Sequence, residues 1–559
     1  MQDSVLRRIA VRTNVKGLIT RLSGEETYMA LRHLALRVLE RSARLRTKTA
    51  QSWESRRFRG NHALVRRHGL VWDLQSGSMP EDVRNSNYRW LTDALSSNGI
   101  RWWLISNEIG RRRVIGISVA DRDNALNAIA SGTSQTPRYV TTPLTDIKYP
   151  MQRIDRSEIF QRSNVWRLGA HIHINGTTLY YGLEYGCDLE LWDLRAETVL
   201  APRENRAAKS LSAKNFELTT VSDSVGPVKT PNVMMKRMLD DVPFPIDIVY
   251  TWVDGSDPEW AALKQKYESG DAEDLYHPGA NNEARFRSRD ELKYSLRSLE
   301  MYAPWFNRIF IVTNGQIPDW LDLDNPKMEL VTHEDIYDDD SVLPTFNSNS
   351  IISRLHHIPN LNEHYIYMND DVFFGRSVQP DRFFYPNGLA QVSVSNNRRP
   401  FGEANIDDEP HFNLTRNMRS LLEEDFGITI SRAIKHTPHP QLRSINFELE
   451  ERYKEAYRRT WASRFRHHND LVADQLHHYY AQITGRAVPG SLRYRYINIG
   501  DESYRGVLAD TLRSRNRHTF CLNDVHVEGA TPLSESEVEG FLRTYFPIAS
   551  SYEKSRMGG

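Results

Sequence analysis

The sequence predicts an α/β protein: a mostly parallel sheet with flanking helices, preceded by an N-terminal region of β-rich or mixed character. Three observations carry this prediction. Short apolar runs, "PIDIVYTWV" (245–253), "RIFIVTN" (308–314), "KMELVT" (327–332) and "HYIYMN" (364–369), alternate with segments of helical period such as "SRDELKYSLRSLEMY" (288–302). That alternation is the signature of strand–helix–strand units. Several runs end in polar clusters, Asp254/Asp257, Thr313/Asn314 and Asn369/Asp370/Asp371, and parallel sheets hold their ligands at the carboxyl ends of strands. Finally, 559 residues suffice for two or three domains, each with a buried core.

Taken in order, residues 1–84 form an expected basic helical segment. Residues 1–70 hold sixteen Lys/Arg against five Asp/Glu. Within them "LRHLALRVLERSARL" (31–45) places Leu31, Leu34, Ala35, Val38 and Leu45 on one helical stripe. Such a helix suits either the inner face of an anionic membrane, as a peripheral contact, or its own protein; buried faces of soluble domains give the same periodicity, which favours the second. Residues 85–200 read as a mixed accessory region. "RWWLIS", "RRVIGISV" and "CDLELWDL" are expected strands and "DNALNAIAS" a short helix; Asn175-Gly176 is expected to turn a hairpin. The polar stretch 201–240 reads as a linker or long surface loop. The α/β domain is expected over 241–548, with a tail at 549–559. In it, Ser288 and Glu291 read as a capping box, with Leu292, Leu296 and Leu299 at helical spacing. "NSNSIISRLHHI" (347–358) reads as a helix, "KHTPHP" (435–440) as a rigid loop, and "RFRHHNDLVADQLHHYYAQI" (464–483) as helical from about Asp470. "FCLND" (520–524) is a short strand ending in another Asn-Asp pair.

The totals exclude several classes. Lys+Arg and Asp+Glu are both 72, so the net charge is zero and a nucleic-acid backbone is not the expected partner. Two cysteines, Cys187 and Cys521, cannot build a disulfide framework or a cysteine-rich metal site, and favour a reducing compartment. No apolar run reaches the length of a bilayer, and the basic N-terminus lacks the apolar core of a secretory signal. The cytoplasm is therefore the expected location.

The chemistry concentrates at "HYIYMNDDVFFG" (364–375). Adjacent carboxylates at the end of a buried strand repel each other, and burial raises the cost of ionising both. A divalent cation removes that conflict: Mg²⁺ and Mn²⁺ take carboxylate and phosphate oxygens. Because successive strand side chains point opposite ways, only one of the pair is expected to ligate directly, Asp371, with Asp370 in support. Alone, Asn-Asp-Asp also suits a strand-ending turn, and Asp254-Gly255-Ser256-Asp257, taken alone, favours an ordinary β-turn. His436 has the pKa range of a general base, whereas His436 and His439, separated by a proline, make a poor zinc pair. Arg466 could clamp phosphate with its planar fork, or simply open a solvated helix start. The pairs His356-His357 and His477-His478 read as structural, one of each pair expected to face outward.

As an ordered set, "IDIVYTWVDGSDPEW", "ARFRSRDELKYSLRSLEMYAPWFNRIFIVTNGQIPDWL", "YIYMNDDVFF", "HTPHPQLRS…RFRHHNDLVADQLHHYY" and "FCLNDV" resemble the conserved segments of the Stealth family of sugar-1-phosphate transferases. That family includes bacterial capsule and exopolysaccharide phosphotransferases and the catalytic subunit of the lysosomal-enzyme N-acetylglucosamine-1-phosphotransferase. The resemblance covers about 245–548 and makes 241–548 the expected catalytic domain. It implies a core similar to the GT-A nucleotide-sugar fold, a Mg²⁺ or Mn²⁺ ion, a UDP-sugar donor and a glycan acceptor. An acceptor hydroxyl would attack the β-phosphorus and UMP would leave, with the anomeric bond untouched. By motif position Asp254, Asp257, Arg289, Asn314, Asn369 and Asn523 are expected to bind substrate. Asp371, His436, Arg466 and Asp470 are expected to be catalytic, and Asp371 and Asp524 to hold the metal. The join at 376–435 is short beside the inserted modules of animal relatives, which suggests a simple glycan acceptor. His468 and Asn469 depart from the pattern associated with animal members. The rival expectations are a conventional metal-dependent glycosyltransferase that releases UDP, and a non-catalytic glycan-binding assembly protein. A homo-oligomer is compatible with either.

Overall fold

A computed structural model describes residues 47–131, 136–143, 147–156, 160, 163–268, 286–403, 410–525 and 527–554. The basic amphipathic segment 31–45 lies outside them. The chain divides into two compact units, Met1–Met238 and Leu239–Gly559.

The first unit is built on an eight-stranded mixed sheet. Its middle strand, Cys187–Leu194, pairs parallel with Val114–Ser118 and antiparallel with Val165–Ala170. The inward residues Ile115, Ile117, Trp166, Leu189 and Leu191 bury together with Tyr88, Leu91 and Leu95 of helix Pro80–Ser96. The expected hairpin is present, as Ile172–Ile174 pairs antiparallel with Tyr180–Tyr181, and Gly176 takes the positive φ of +72° that its turn needs. The stretch 201–240 differs from the expected linker. It holds strand Ser210–Ser212 and a hairpin, Leu218–Asp223 with Gly226–Pro231. Val228 and Met234 from that stretch are buried in the unit's cores. Only one face of this hairpin is covered, so its polar composition imitates a loop.

The second unit carries the predicted parallel sheet. Its strands are β1 (Ile246–Thr251), β2 (Ile309–Thr313), β3 (Met328–Thr332), β4 (His364–Asn369) and, last in sequence, His439–Leu442. The spatial order is β3-β2-β1-β4 and then His439–Leu442 at the edge. The first four pair parallel and the edge strand pairs antiparallel to β4. "HTPHP", expected as a loop, therefore enters a strand at His439; both faces of that strand are buried. Across the chain the sheets are mixed, and the parallel character is confined mainly to this one. β1 is buried almost throughout, as a strand flanked by parallel neighbours must be. Register pairs Thr251 with both Val312 and Asn369, so β1, β2 and β4 end nearly level.

Helix α1 (Glu291–Tyr302) buries Leu292, Leu296 and Leu299. Its start departs from the expected capping box: Asp290 is the N-cap residue, at φ +62°, without a side-chain cap. Glu291 accepts instead from the Arg289 backbone N–H at 2.5 Å. The segment 347–358 breaks into a short helix α2 (Ser348–Ile352) and a 3₁₀ turn, Leu355–His357. After Asp371 the chain leaves the central sheet for β5 (Val372–Phe374). There it pairs antiparallel with Thr519–Asn523, which also pairs parallel with Tyr494–Asn498. Asp370 and Asp371 thus occupy the turn between two sheets. Helix Ala473–Ile483 begins three residues beyond the expected start and buries both His477 and His478, so neither faces outward.

Candidate functional site

The first cluster sits beyond β1. Asp254 Oδ1 accepts from Ser256 N (2.9 Å) and Ser256 Oγ (2.6 Å). Asp257 Oδ1 accepts from Glu259 N at 2.9 Å and Oδ2 from Gln316 Nε2 at 3.0 Å. Gln316 also donates to Asp254 O and accepts from Asp254 N. The turn reading therefore holds for the backbone, and both acids help build it. The Gln316 amide, with the N–H groups of Trp260 and Glu259, holds the Asp257 carboxyl below its ordinary range. Gly255 lies so near Phe286 that an added Cβ would sit 2.5 Å from its carbonyl oxygen. Trp260, Phe286, Phe346 and Phe465 pack as one aromatic cluster, with Phe346 stacked on Phe465 at 5.2 Å. This cluster joins the Asp254 turn, the chain before Arg289 and the chain before Arg466, three stretches far apart in sequence.

The second cluster is the turn after β4. His436 Nε2 lies 3.0 and 3.2 Å from the two oxygens of Asp371. Burial disfavours the charged imidazole, but the carboxylates of Asp371, Asp474 and Asp370 outweigh it and raise the pKa of His436 above its ordinary value. Asp370 is pushed well above the carboxylate range by burial and by the nearby charges of Glu291 and Asp371. Glu291 is likewise raised, chiefly by burial, against the opposing pull of the Arg289 N–H and guanidinium. Tyr494 Oη and Cys521 Sγ are 2.9 Å apart, and Asp371 raises the pKa of both groups.

Arg289 donates from Nη2 to Asp524 Oδ2 at 2.6 Å and lies 3.5 Å from Glu291. Asn523 closes its strand opposite Asn498. The Asn498 side chain accepts from Val525 N and donates to Val525 O, both at 3.0 Å, which bends the chain after Asp524. Asn314 follows β2 with a buried Oδ1 that has no hydrogen-bond partner among the described residues. Asn369 ends β4.

Asp470 sits apart from these carboxylates in its contacts. It is fully buried and accepts from Asn347 Nδ2 (2.8 Å) and His467 N (2.9 Å). Burial pushes its carboxyl up to about 6 against those hydrogen bonds. Asn347 in turn caps α2 through Asn349 N, and Arg466 Nη2 donates to Ser348 Oγ at the start of that helix. The segment read as a solvated helix start is thus a loop fastened from below. His439 turns away from His436: its Nδ1 is 2.5 Å from Asp474 Oδ2 and its Nε2 2.8 Å from Lys435 O.

The structure therefore joins Asp371 to His436, Arg289 to Asp524, and Asp254 to Asp257 through Gln316. It places Asp470 beneath the Arg466 loop. Sequence reasoning missed Gln316, Asn347, Asn498 and the aromatic cluster. Among these only Gln316, three residues past the end of β2, stood at a position that could have signalled it. Asp371 and Asp370 offer carboxylate oxygens beside the His436 imidazole, and the carboxyls of Asp370 and Glu291 are raised by burial and, less, by their carboxylate neighbours. Both features fit a hard divalent cation.

An α/β unit with an acid–histidine pair and an arginine–acid pair near its strand ends defines a candidate group-transfer site. The chain carries all four conserved regions of the Stealth proteins: region 1 at 244–272, region 2 at 285–392, region 3 at 435–482 and region 4 at 510–557. It is 36% identical over 515 residues to an exopolysaccharide phosphotransferase of Streptomyces coelicolor, covering 85% of each chain. It is 34% identical over 505 residues to the exopolysaccharide phosphotransferase CpsY of Mycobacterium tuberculosis, covering 88% of this chain and 93% of that one. The chain belongs to the Stealth family. Among solved structures it overlaps the galactosyltransferase LgtC with donor and acceptor sugar analogs at a TM-score of 0.28 and 11% identity, covering 55% of this chain and 97% of that one. It overlaps mouse xyloside xylosyltransferase 1 at 0.26 and 10%, covering 52% and 100%. Overlap at that level does not define the fold.

Proposed function

We propose that this chain, a transferase by its family, moves a hexose-1-phosphate, with an N-acetylhexosamine as the favoured sugar, from a UDP-sugar to a glycan hydroxyl in exopolysaccharide or capsule synthesis. The observation that carries the reading is the Asp371–His436 pair at the carboxyl end of β4, beside the Arg289–Asp524 pair. The names of its relatives support it. In the reaction the acceptor oxygen forms a bond to the β-phosphorus, the bridge from that phosphorus to the α-phosphate breaks, and UMP departs. The hydroxyl proton leaves as the new bond forms, and UMP takes up a proton according to its own pKa.

His436, whose Nε2–H donates to Asp371, is our candidate acid/base group. In the neutral ring Nδ1 is the nitrogen that would accept the acceptor's proton, and the raised pKa suits the charged ring to return a proton from Nδ1 to the departing phosphate. Asp371 orients the ring and stabilises the charged imidazole. Arg289 and Arg466 supply fixed positive charge for the diphosphate, Asp470 positions the Arg466 loop, and the Asp254–Asp257 turn faces the nucleotide. Asp371 and Asp524 would hold Mg²⁺ or Mn²⁺, which when bound neutralises charge on the diphosphate. Residues 85–200 are read as an accessory region.

Nucleotide release tests the proposal. Purified protein with UDP-sugars, Mg²⁺ and polysaccharide fragments should yield UMP and a sugar phosphodiester. Release of UDP would make it a conventional glycosyltransferase.

A further inference from the structure

We propose that His356, His357 and Glu450 form a zinc site, separate from the carboxylate-rich site at the other end of the central sheet. Both imidazole Nε2 atoms lie 2.7 Å from one oxygen, Glu450 Oε2, and the two rings are 4.3 Å apart. Among the described residues this is the one place where three His, Cys, Asp or Glu side chains bring ligand atoms within 4.8 Å of one another. Neighbouring side chains on an α-helix diverge by about 100°. Here the 3₁₀ turn Leu355–His357 brings both ring edges to a single point.

The framework is rigid without an ion. Arg443 opens helix Arg443–Arg452, the helix that also bears Glu450. Its guanidinium donates to His356 O (2.8 Å), Leu361 O (2.9 Å) and Ile358 O (3.2 Å). One helix thus presents the carboxylate and also fixes the turn that presents the histidines. Arg354 donates to the far oxygen, Glu450 Oε1, and to Ile336 O, leaving Oε2 to the rings; such outer partners orient metal ligands. Phe447 packs edge-on against both imidazoles. Two imidazole nitrogens and one carboxylate suit Zn²⁺ with a water in the fourth position, whereas Mg²⁺ and Ca²⁺ prefer all-oxygen shells. Binding moves each ring proton to Nδ1 and draws the ion in between the three atoms. The site precedes β4 and Asp371 follows it, so the strand's six residues separate the two by roughly 20 Å. The zinc therefore fastens the fold and takes no part in transfer.

The test uses the untagged full chain. After incubation with ZnCl₂ and desalting, the wild type should keep one zinc per chain by mass spectrometry. Its thermal midpoint should fall in EDTA and recover with ZnCl₂ but not MgCl₂. His357 is partly exposed, with 23% of its side chain accessible, so His357→Gln should fold, lose most of the zinc and melt alike with or without EDTA. Asp371→Asn should keep the zinc. Zinc retention by the wild type no greater than by His357→Gln, or loss of zinc in Asp371→Asn, would overturn the proposal and leave the triad a metal-free hydrogen-bonded clamp.

Discussion

Asp371 and Asp470 are both acids of the conserved segments, yet their surroundings set them different tasks. Asp371 is partly exposed and bonded to an imidazole, so removing its charge should stop chemistry without unfolding the chain. Asp371→Asn is expected to abolish UMP release while leaving the circular dichroism spectrum and melting cooperativity unchanged; near-normal turnover would remove Asp371 from the mechanism. Asp470 is buried beneath the Arg466 loop, and Asp470→Ala strands the His467 N–H and takes one of three acceptors from the Asn347 amide. A loss of about 2–4 kcal/mol in a denaturant titration is expected. The sign of its pH dependence follows from a pKa raised from 3.8 to about 6. The folded state binds that proton more tightly, so its favourable contribution is complete below about 4 and fades as pH rises through 6. Asp470→Asn should flatten this part of the stability–pH curve. An unchanged slope would mean that another group dominates there.

Elements bring these residues together through a few close contacts. Gly255 meets the Phe286 carbonyl where no side chain fits, so Gly255→Ala must push the Asp254–Asp257 turn away from the aromatic cluster. The expected result is weaker nucleotide binding by calorimetry, with a stability cost of about 1–3 kcal/mol. Midway along α1, Arg297 makes a two-pronged pair with Glu553, both bonds at 2.7 Å. Glu553 also accepts from Ser550 N and Oγ. The segment "FPIASSYEK" (546–554), within conserved region 4, is thereby clamped to the helix that follows Arg289. Glu553→Ala should cost about 1–3 kcal/mol and lower the unfolding midpoint. No change would show that the segment is held by Tyr552 and its apolar neighbours instead.

On the scale of the molecule, each of the two units has its own buried core. A chain starting at Leu239 is therefore expected to fold alone and to reproduce one thermal transition of the full protein; an aggregated or unfolded product would refute that independence. No helix among the described residues is long and apolar enough to cross a membrane. Cys187 and Cys521 are buried free thiols, in keeping with the expectation that neither belongs to a disulfide framework.

Much of the fold was legible because strand periodicity and strand-end polarity are local. β1 to β4, the hairpin at Gly176 and the helical period of α1 follow from neighbours within a few residues. The hairpin in 218–231 was not legible, because a ribbon covered on one face reads as polar loop. Nor was the start of α1, where a left-handed Asp290 replaces the expected cap. For the site, the sequence by itself determined which acids and amides stand at strand ends, and, through the order of its motifs, the family. Only the tertiary structure decided which of them meet: Asp371 finds His436 across 65 residues, and Arg289 finds Asp524 across 235. It also turned His439 toward Asp474, buried Asp470, and gathered His356 and His357 onto Glu450. The physical reason is that a side chain's partner and its burial belong to the packing of distant segments, which no local pattern encodes.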